Sequence, residues 1–212
     1  GEVHAVTFTG QHPLKYGTRP SWYFEPDKHG GTLNDIAIHA MDYIPWATGR
    51  TFATVSAARG WNARLKAVPF FQDGAQVMLT LDNGGGVLGD VSYLLPDSFN
   101  YGIPPYWRIT IWGADGMVEG GPNTPAQLFR NGADAPEPLP LVQPAGGAYL
   151  EAFVREIRGE TEGVTLTTAD VLTATRVSLL AQQAADRCAF KHMQASQERK
   201  HGPAEKLLHF VA

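Results

Sequence analysis

Apolar and polar positions alternate from Val3 to Thr9, in a stretch rich in Val, Phe and Thr, and that period of two predicts a half-exposed β-strand. The period is then lost. "GQHPLKYGTRPSWYFEPDKHGG" is dense in Gly, Pro and aromatic residues and reads as a long irregular loop. At Leu33, Ile36, Ala40 and Ile44 the apolar positions recur every three or four residues, the spacing of one helix face. Pro45 is expected to stop or kink that helix near Ile44, because proline has no N–H to give. Strand patterns return at Phe52 to Ala58, Gln76 to Asp82, Val87 to Leu94 and Tyr106 to Trp112. "WGADGMVEG" predicts a tight hairpin with Asp115-Gly116 in its turn. Residues Gly120 to Gly147 are proline-rich and aperiodic, a surface loop with room for one edge strand. Helical spacing closes the pattern twice. Leu150, Phe153, Val154 and Ile157 share a face, with Gly159 as a C-terminal stop. In "TTADVLTATRVSLLAQQAADR", Thr167 and Asp170 resemble a capping box, with aspartate in place of the usual glutamate. The tail from Lys191 to Ala212 receives no element.

This order describes one antiparallel-rich sheet with helices gathered on one side, an α+β domain. The expected division is a single domain over residues 1–190, with 191–212 as an unassigned tail. A sheet covered on one face leaves the other free. Strands with apolar residues on both faces, such as Val77 and Leu79 beside Met78, point to an interface there.

Composition narrows the class without naming a function. A chain of 212 residues with 43% apolar and 18% charged positions is ordinary globular material with ample length for a core. Its net charge of -4 argues against a nucleic-acid partner. No apolar run approaches the roughly 20 residues of a membrane span, and "GEVHAVTFTG" lacks the pattern of a secretory signal. The single cysteine, Cys188, excludes an internal disulfide framework and fits a reducing, cytoplasmic compartment.

"GGGVLG", Gly84 to Gly89, matches the glycine spacing of a dinucleotide-binding loop, but that loop needs a helix after it. Here "VLGDVSYLL" alternates as a strand, so "LDNGGG" is read as a hairpin turn with Asn83-Gly84 at its tip. No other segment offers a strand, glycine loop and helix in succession.

The chemistry gathers on the first helix. At α-helical spacing Asp35, His39 and Asp42 fall within about a 60° sector. Leu33, Ile36, Ala40 and Ile44 lie opposite, while Ile38, Met41 and Tyr43 narrow the polar stripe at its edges. A solvated helix face is broader and carries Lys, Glu and Gln; a narrow Asp-His-Asp stripe suits the wall of a cleft. A carboxylate one turn from an imidazole can orient it and raise its basicity for general acid–base work. Other readings stay open: a simple solvated face, helix capping, or a mixed N/O metal site in which His29 or His12 joins the stripe for lyase or hydrolase chemistry. The chain has no H-E-x-x-H and no cysteine cluster.

"HGGTLNDIAIHAMD" resembles the G-G-x-x-x-D-x-x-x-H motif of the Gfo/Idh/MocA oxidoreductases, with Gly30 and Gly31 as the glycines, Asp35 as the aspartate and His39 as the histidine. "GEVHAVTFTGQHPL", "WRITIWGADGMVE" and the two closing helices resemble other parts of that family's C-terminal domain, so the likeness runs from Gly1 to Arg187. The resemblance implies the substrate and oligomerisation half of an enzyme whose N-terminal Rossmann domain binds NAD or NADP and carries a Glu-Lys-Pro lysine. Neither feature occurs in this sequence, so a domain fragment is expected. It further implies His39 as proton acceptor, Asp35 as its partner, a sugar, polyol or related hydroxylated substrate, no resident metal, and a dimer or tetramer built on the open sheet face. Arg19 and Trp22 on the preceding loop, and Asp42 on the stripe, are candidates for substrate binding. The rival expectation is a ligand-binding and oligomerisation module whose Asp-His pair is idle. Two departures stand out: His29 where a third glycine is frequent, and Ala37 between the aspartate and histidine. The tail after Arg187 does not resemble the family's ending.

Overall fold

The structure is a computed structural model that describes residues 1–140, 148–160, 162–164 and 166–200, with α3 side chains described as far as Cys188. Its strands are β1 (Val3–Pro13), β2 (Phe52–Trp61), β3 (Gly74–Leu81), β4 (Gly86–Leu95), β5 (Trp107–Gly113), β6 (Gly116–Gly121), β7 (Thr124–Arg130) and β8 (Glu137–Pro138). Its helices are α1 (Ile38–Thr48), entered through a π-helical turn at Leu33–Ala37, then α2 (Ala148–Ile157) and α3 (Thr168–Lys200). The strands form one sheet in the order β2-β3-β4-β1-β5-β6-β7-β8, and every neighbouring pair is antiparallel except β1 with β4. This is the expected α+β architecture.

One face of the sheet carries the core. Val6 and Phe8 of β1, Ala75, Val77, Leu79 and Leu81 of β3, and Val87, Val91 and Tyr93 of β4 are buried. Leu33, Ile36, Ala40 and Ile44 pack onto them, the helix face that the spacing of three and four defines. α3 lies against β2 and α1, where the small residues Ala174, Ser178, Ala181 and Ala185 allow close approach. Gln182 ties the layers: its Oε1 accepts from the Leu33 N–H at 3.0 Å, filling a bond that a helix start leaves open. Gly31 sits at φ 93 directly beneath that amide, where any Cβ would collide with it. On the opposite face the intervening residues are solvent-facing, among them Met78 and Leu88, each about half exposed.

The structure departs from the sequence expectations at four places. α1 continues through Pro45 to Thr48. The bond lost to the Met41 carbonyl falls in the last turn, and Gly49 then ends the helix at φ 66 with its N–H on the Pro45 carbonyl at 2.8 Å. The proline-rich stretch after Gly120 contains β7 and β8 rather than one edge strand. The β5–β6 hairpin pairs Gly113 with Gly116, so Ala114 and Asp115 are its two loop residues. α3 runs on to Lys200, while residues 201–212 lie outside the described part. The capping box forms as read, with Asp170 Oδ2 accepting from the Thr167 N–H and hydroxyl and the Asp170 N–H returning to Thr167 Oγ1. The hairpin at Asn83-Gly84 also forms: Gly84 takes φ 85 and the chain leaves into β4, not into a helix. α2 keeps its apolar stripe of Leu150, Phe153, Val154 and Ile157 on the surface, and only Ala152 is buried.

Candidate active site

Because β1 and β4 run parallel, their C-terminal ends emerge side by side, with Pro13 opposite Leu94 and Leu95. The antiparallel β5 begins at the same edge, Trp107 lying opposite Gly10. Three chain ends therefore gather at one end of the sheet, and the helix entrance at Asp35 packs over them. His12, Tyr93 and Trp107 come from the strands, Tyr101 and Tyr106 from the β4–β5 connection, and Arg19, Trp22, Tyr23 and His29 from the loop after β1.

Asp35 is the hub. Its Oδ2 accepts hydrogen bonds from the hydroxyls of Tyr23, at 2.5 Å, and Tyr93. His29 Nε2 lies 3.0 Å from the Tyr93 oxygen and 3.8 Å from Asp35 Oδ2. Both tyrosines are buried while the Asp35 side chain is 37% exposed. Burial works against the charge, but His29 and the two hydroxyls outweigh it and hold the carboxyl well below the usual carboxylate range. The same partnership acts in reverse on the phenols. Burial first, and then the Asp35 carboxylate, pushes Tyr93 and Tyr23 above the ordinary tyrosine range, so both remain protonated donors.

Around this hub the other candidate residues are unequally placed. Arg19 folds back on the strand end, its Nε donating to the Leu14 carbonyl at 2.8 Å and Nη2 to that of Pro13 at 3.1 Å. Its guanidinium lies over the rings of Tyr23 and Tyr93, 4.6 and 5.4 Å from their centroids. His39, one turn after Asp35, is exposed and meets Trp107 edge to face, with ring centroids 6.0 Å apart. Trp22 is half exposed and leans on Tyr23, while Asp42 projects into solvent. Asp35, His39 and Arg19 thus share one locality, Trp22 stands at its rim, and the Asp42 carboxylate makes no hydrogen bond among the described residues.

The sequence reading passed over Tyr23, Tyr93 and Trp107. A tyrosine at an inward strand position, as Tyr93 is in β4, signals a buried hydroxyl that needs a partner. His12 is held among Tyr101, Tyr106 and Trp107, and its Nε2 is enclosed without a hydrogen-bond partner among the described residues. Burial, joined by the charge on Arg19 and by His39 against the opposing pull of Asp35, lowers its imidazole to about 4, so it is neutral near pH 7. His29 separates the Asp35 hub from a cavity of about 440 Å³ walled by Phe70, Phe71 and Gln182. Among the described residues no three His, Cys, Asp or Glu side chains converge as metal ligands. No helix among them is long and apolar enough to cross a membrane.

A family model described as the GFO/IDH/MocA C-terminal domain matches residues 1–119, more than half of the 212. The chain belongs to the Gfo/Idh/MocA family. No curated protein matches it. Among solved structures, a Thermotoga maritima protein assigned as an oxidoreductase is 29% identical with a TM-score of 0.74, over 88% of this chain and 54% of its own. An Erwinia carotovora protein with the same assignment is 29% identical, TM-score 0.73, over 87% and 56%. Levoglucosan dehydrogenase in complex with NADH and L-sorbose shares the fold at 17% identity, TM-score 0.62, over 88% and 57%. The chain therefore spans little more than half the length of the solved structures it matches. A nicotinamide dinucleotide has no cradle in the segment that matches its loop motif, since Gly84 to Gly89 turn a hairpin and no helix N-terminus follows them.

Proposed function

We propose that this chain is the substrate-binding and proton-transfer half of an NAD(P)-dependent oxidoreductase acting on a sugar, polyol or similar hydroxylated substrate. The observation that carries the reading is an Asp35 held ionised by His29 and two buried tyrosines, one turn ahead of an exposed imidazole, His39, at the open end of the sheet. An exposed imidazole in that position can take the proton of a substrate hydroxyl and return it. Arg19 and Trp22 line the loop side of the site, and Asp42 offers an acceptor to a substrate hydroxyl further along the helix. A nicotinamide bound by a separate nucleotide-binding half would supply the hydride acceptor. The levoglucosan dehydrogenase complex with NADH and L-sorbose, and an aldose-aldose oxidoreductase complexed with glycerol, support a hydroxylated substrate class. The outer sheet face, with Met78, Leu88 and Trp112 exposed, suits pairing with a second copy.

The test uses the full-length protein, including its nucleotide-binding half. NAD(P) reduction is followed against a panel of aldoses and polyols, then repeated with His39→Ala. Turnover should fall about 10²–10⁴-fold, the usual contribution of a general acid–base group, with cofactor affinity unchanged by calorimetry. A His39→Ala enzyme at near wild-type rate would refute the assignment.

A further inference from the structure

We propose, resting on the oxidoreductase reading, that Tyr93 with His29 behind it is a positioning unit, an N–H to O–H to carboxylate relay that fixes how Asp35 faces the substrate. Proton counting sets its direction. The Tyr23 and Tyr93 oxygens are 2.7 Å apart, yet each hydroxyl has one proton and each is committed to Asp35 Oδ2. The Tyr93 oxygen can then only accept from the third neighbour, so His29 Nε2 is the protonated nitrogen and donates across the 3.0 Å contact. All of these contacts fall on Oδ2. Asp35 Oδ1 accepts no hydrogen bond among the described residues and keeps its lone pairs for His39 or a substrate hydroxyl.

The relay depends on burial that a surface pair would lack. Tyr93 is fully buried, the His29 side chain is 10% exposed, and both rings pack against Phe71. A glycine at position 29 would leave the Tyr93 oxygen without this donor and open it towards the adjoining cavity. The charged and titratable groups around Asp35 come from every neighbouring element: His12 from β1, Arg19, Tyr23 and His29 from the loop, His39 from α1 and Tyr93 from β4.

The 212-residue chain itself provides the test. With ¹³C-labelled aspartate, the Asp35 carboxyl is followed by NMR as the pH is lowered, in wild type and in Tyr93→Phe, His29→Gly and His29→Gln. Tyr93→Phe and His29→Gly should raise the Asp35 midpoint by about 1 pH unit or more. His29→Gln retains an N–H donor and should stay close to wild type. An unmoved midpoint in both Tyr93→Phe and His29→Gly overturns the proposal, as does a Gln variant that behaves like the Gly variant. The His29 pair decides the matter if removing the Tyr93 hydroxyl disturbs folding. In the full-length enzyme Tyr93→Phe should lower kcat and move the acid limb of the pH–rate profile upward. If no sugar or polyol is turned over while the Asp35 midpoint moves as expected, the oxidoreductase reading fails and the anchoring of Asp35 stands.

Discussion

His12 makes the stability of this domain sensitive to mild acid, and the size of the effect follows from its surroundings. Burial among aromatic rings lowers its imidazole from 6.5 to about 4. Between those values the unfolded chain binds a proton that the folded chain refuses, so stability rises with pH across the window and is lost as pH falls through it. Each pH unit of such a window is worth about 1.4 kcal/mol, so the full span from 6.5 to about 4 corresponds to about 3 kcal/mol. Asp35 acts at lower pH: its carboxyl is depressed, so its contribution is present above the ordinary carboxylate value and lost only below it. The perturbation is His12→Phe, a ring of similar shape that cannot titrate. It also removes the enclosed, unpartnered Nε2, so the variant should be at least as stable as wild type at neutral pH. Urea unfolding at intervals from about pH 7 to about pH 4 should show the wild type losing about 3 kcal/mol relative to His12→Phe. Parallel curves for the two proteins would refute the reasoning, since an imidazole that titrates normally adds no difference between them.

Three further outcomes are expected. Under the proposed function, the damage to turnover in the full-length protein should rank His39→Ala first, Asp35→Asn second and Asp42→Asn last, because Asp42 lies furthest along the stripe from Asp35; a steady-state assay in which Asp42→Asn is the most damaging would contradict the site assignment. Gly31→Ala should cost about 2 kcal/mol or more in urea unfolding, because φ 93 and the Gln182 amide both oppose a Cβ, whereas Gly49→Ala, at φ 66 in open space, should cost about 1 kcal/mol. If the outer sheet face pairs two copies, Met78→Glu with Leu88→Glu should convert the sedimenting species to monomer, and an unchanged sedimentation coefficient would place any interface elsewhere.

Where the sheet is covered on one face only, its alternation could be read directly. In β3 Ala75, Val77, Leu79 and Leu81 point inward, and the register of β3 and β4 follows from that period. β2 is legible as a strand, but its register slips between Phe52 and Thr54 and again between Val55 and Ala57, so period two fails along it. β7 and β8 were obscured by their prolines. Pro125 and Pro138 signal loop in a central strand, but these strands form the far edge of the sheet, where a missing N–H is tolerated. Pro45 misled for the same reason in a helix: a lost bond matters little one turn before the end.

At the site, the helical stripe was legible as a set of residues but not as an environment. Equal spacing placed Asp35, His39 and Asp42 on one face, and a uniform α-helix would have given them similar surroundings. The π-helical turn at Leu33–Ala37 is wider than an α turn, so it rotates Asp35 relative to the residues after Ile38. Asp35 is thereby turned onto Tyr23 and Tyr93, while His39 and Asp42 stay in solvent. Periodicity cannot show this, because the decisive partner is non-local. Tyr93 lies 58 positions away in sequence and reaches Asp35 only because β4 runs parallel to β1 and ends beside it. Under the proposed function, the split in exposure separates two tasks that a shared environment could not. A carboxylate must be fixed and kept charged, which the donors around Asp35 provide against the cost of burial, whereas a proton-transferring imidazole must remain free to gain and lose its charge. His29 belongs to the first task, since its contacts are with Tyr93 and Asp35 rather than with His39.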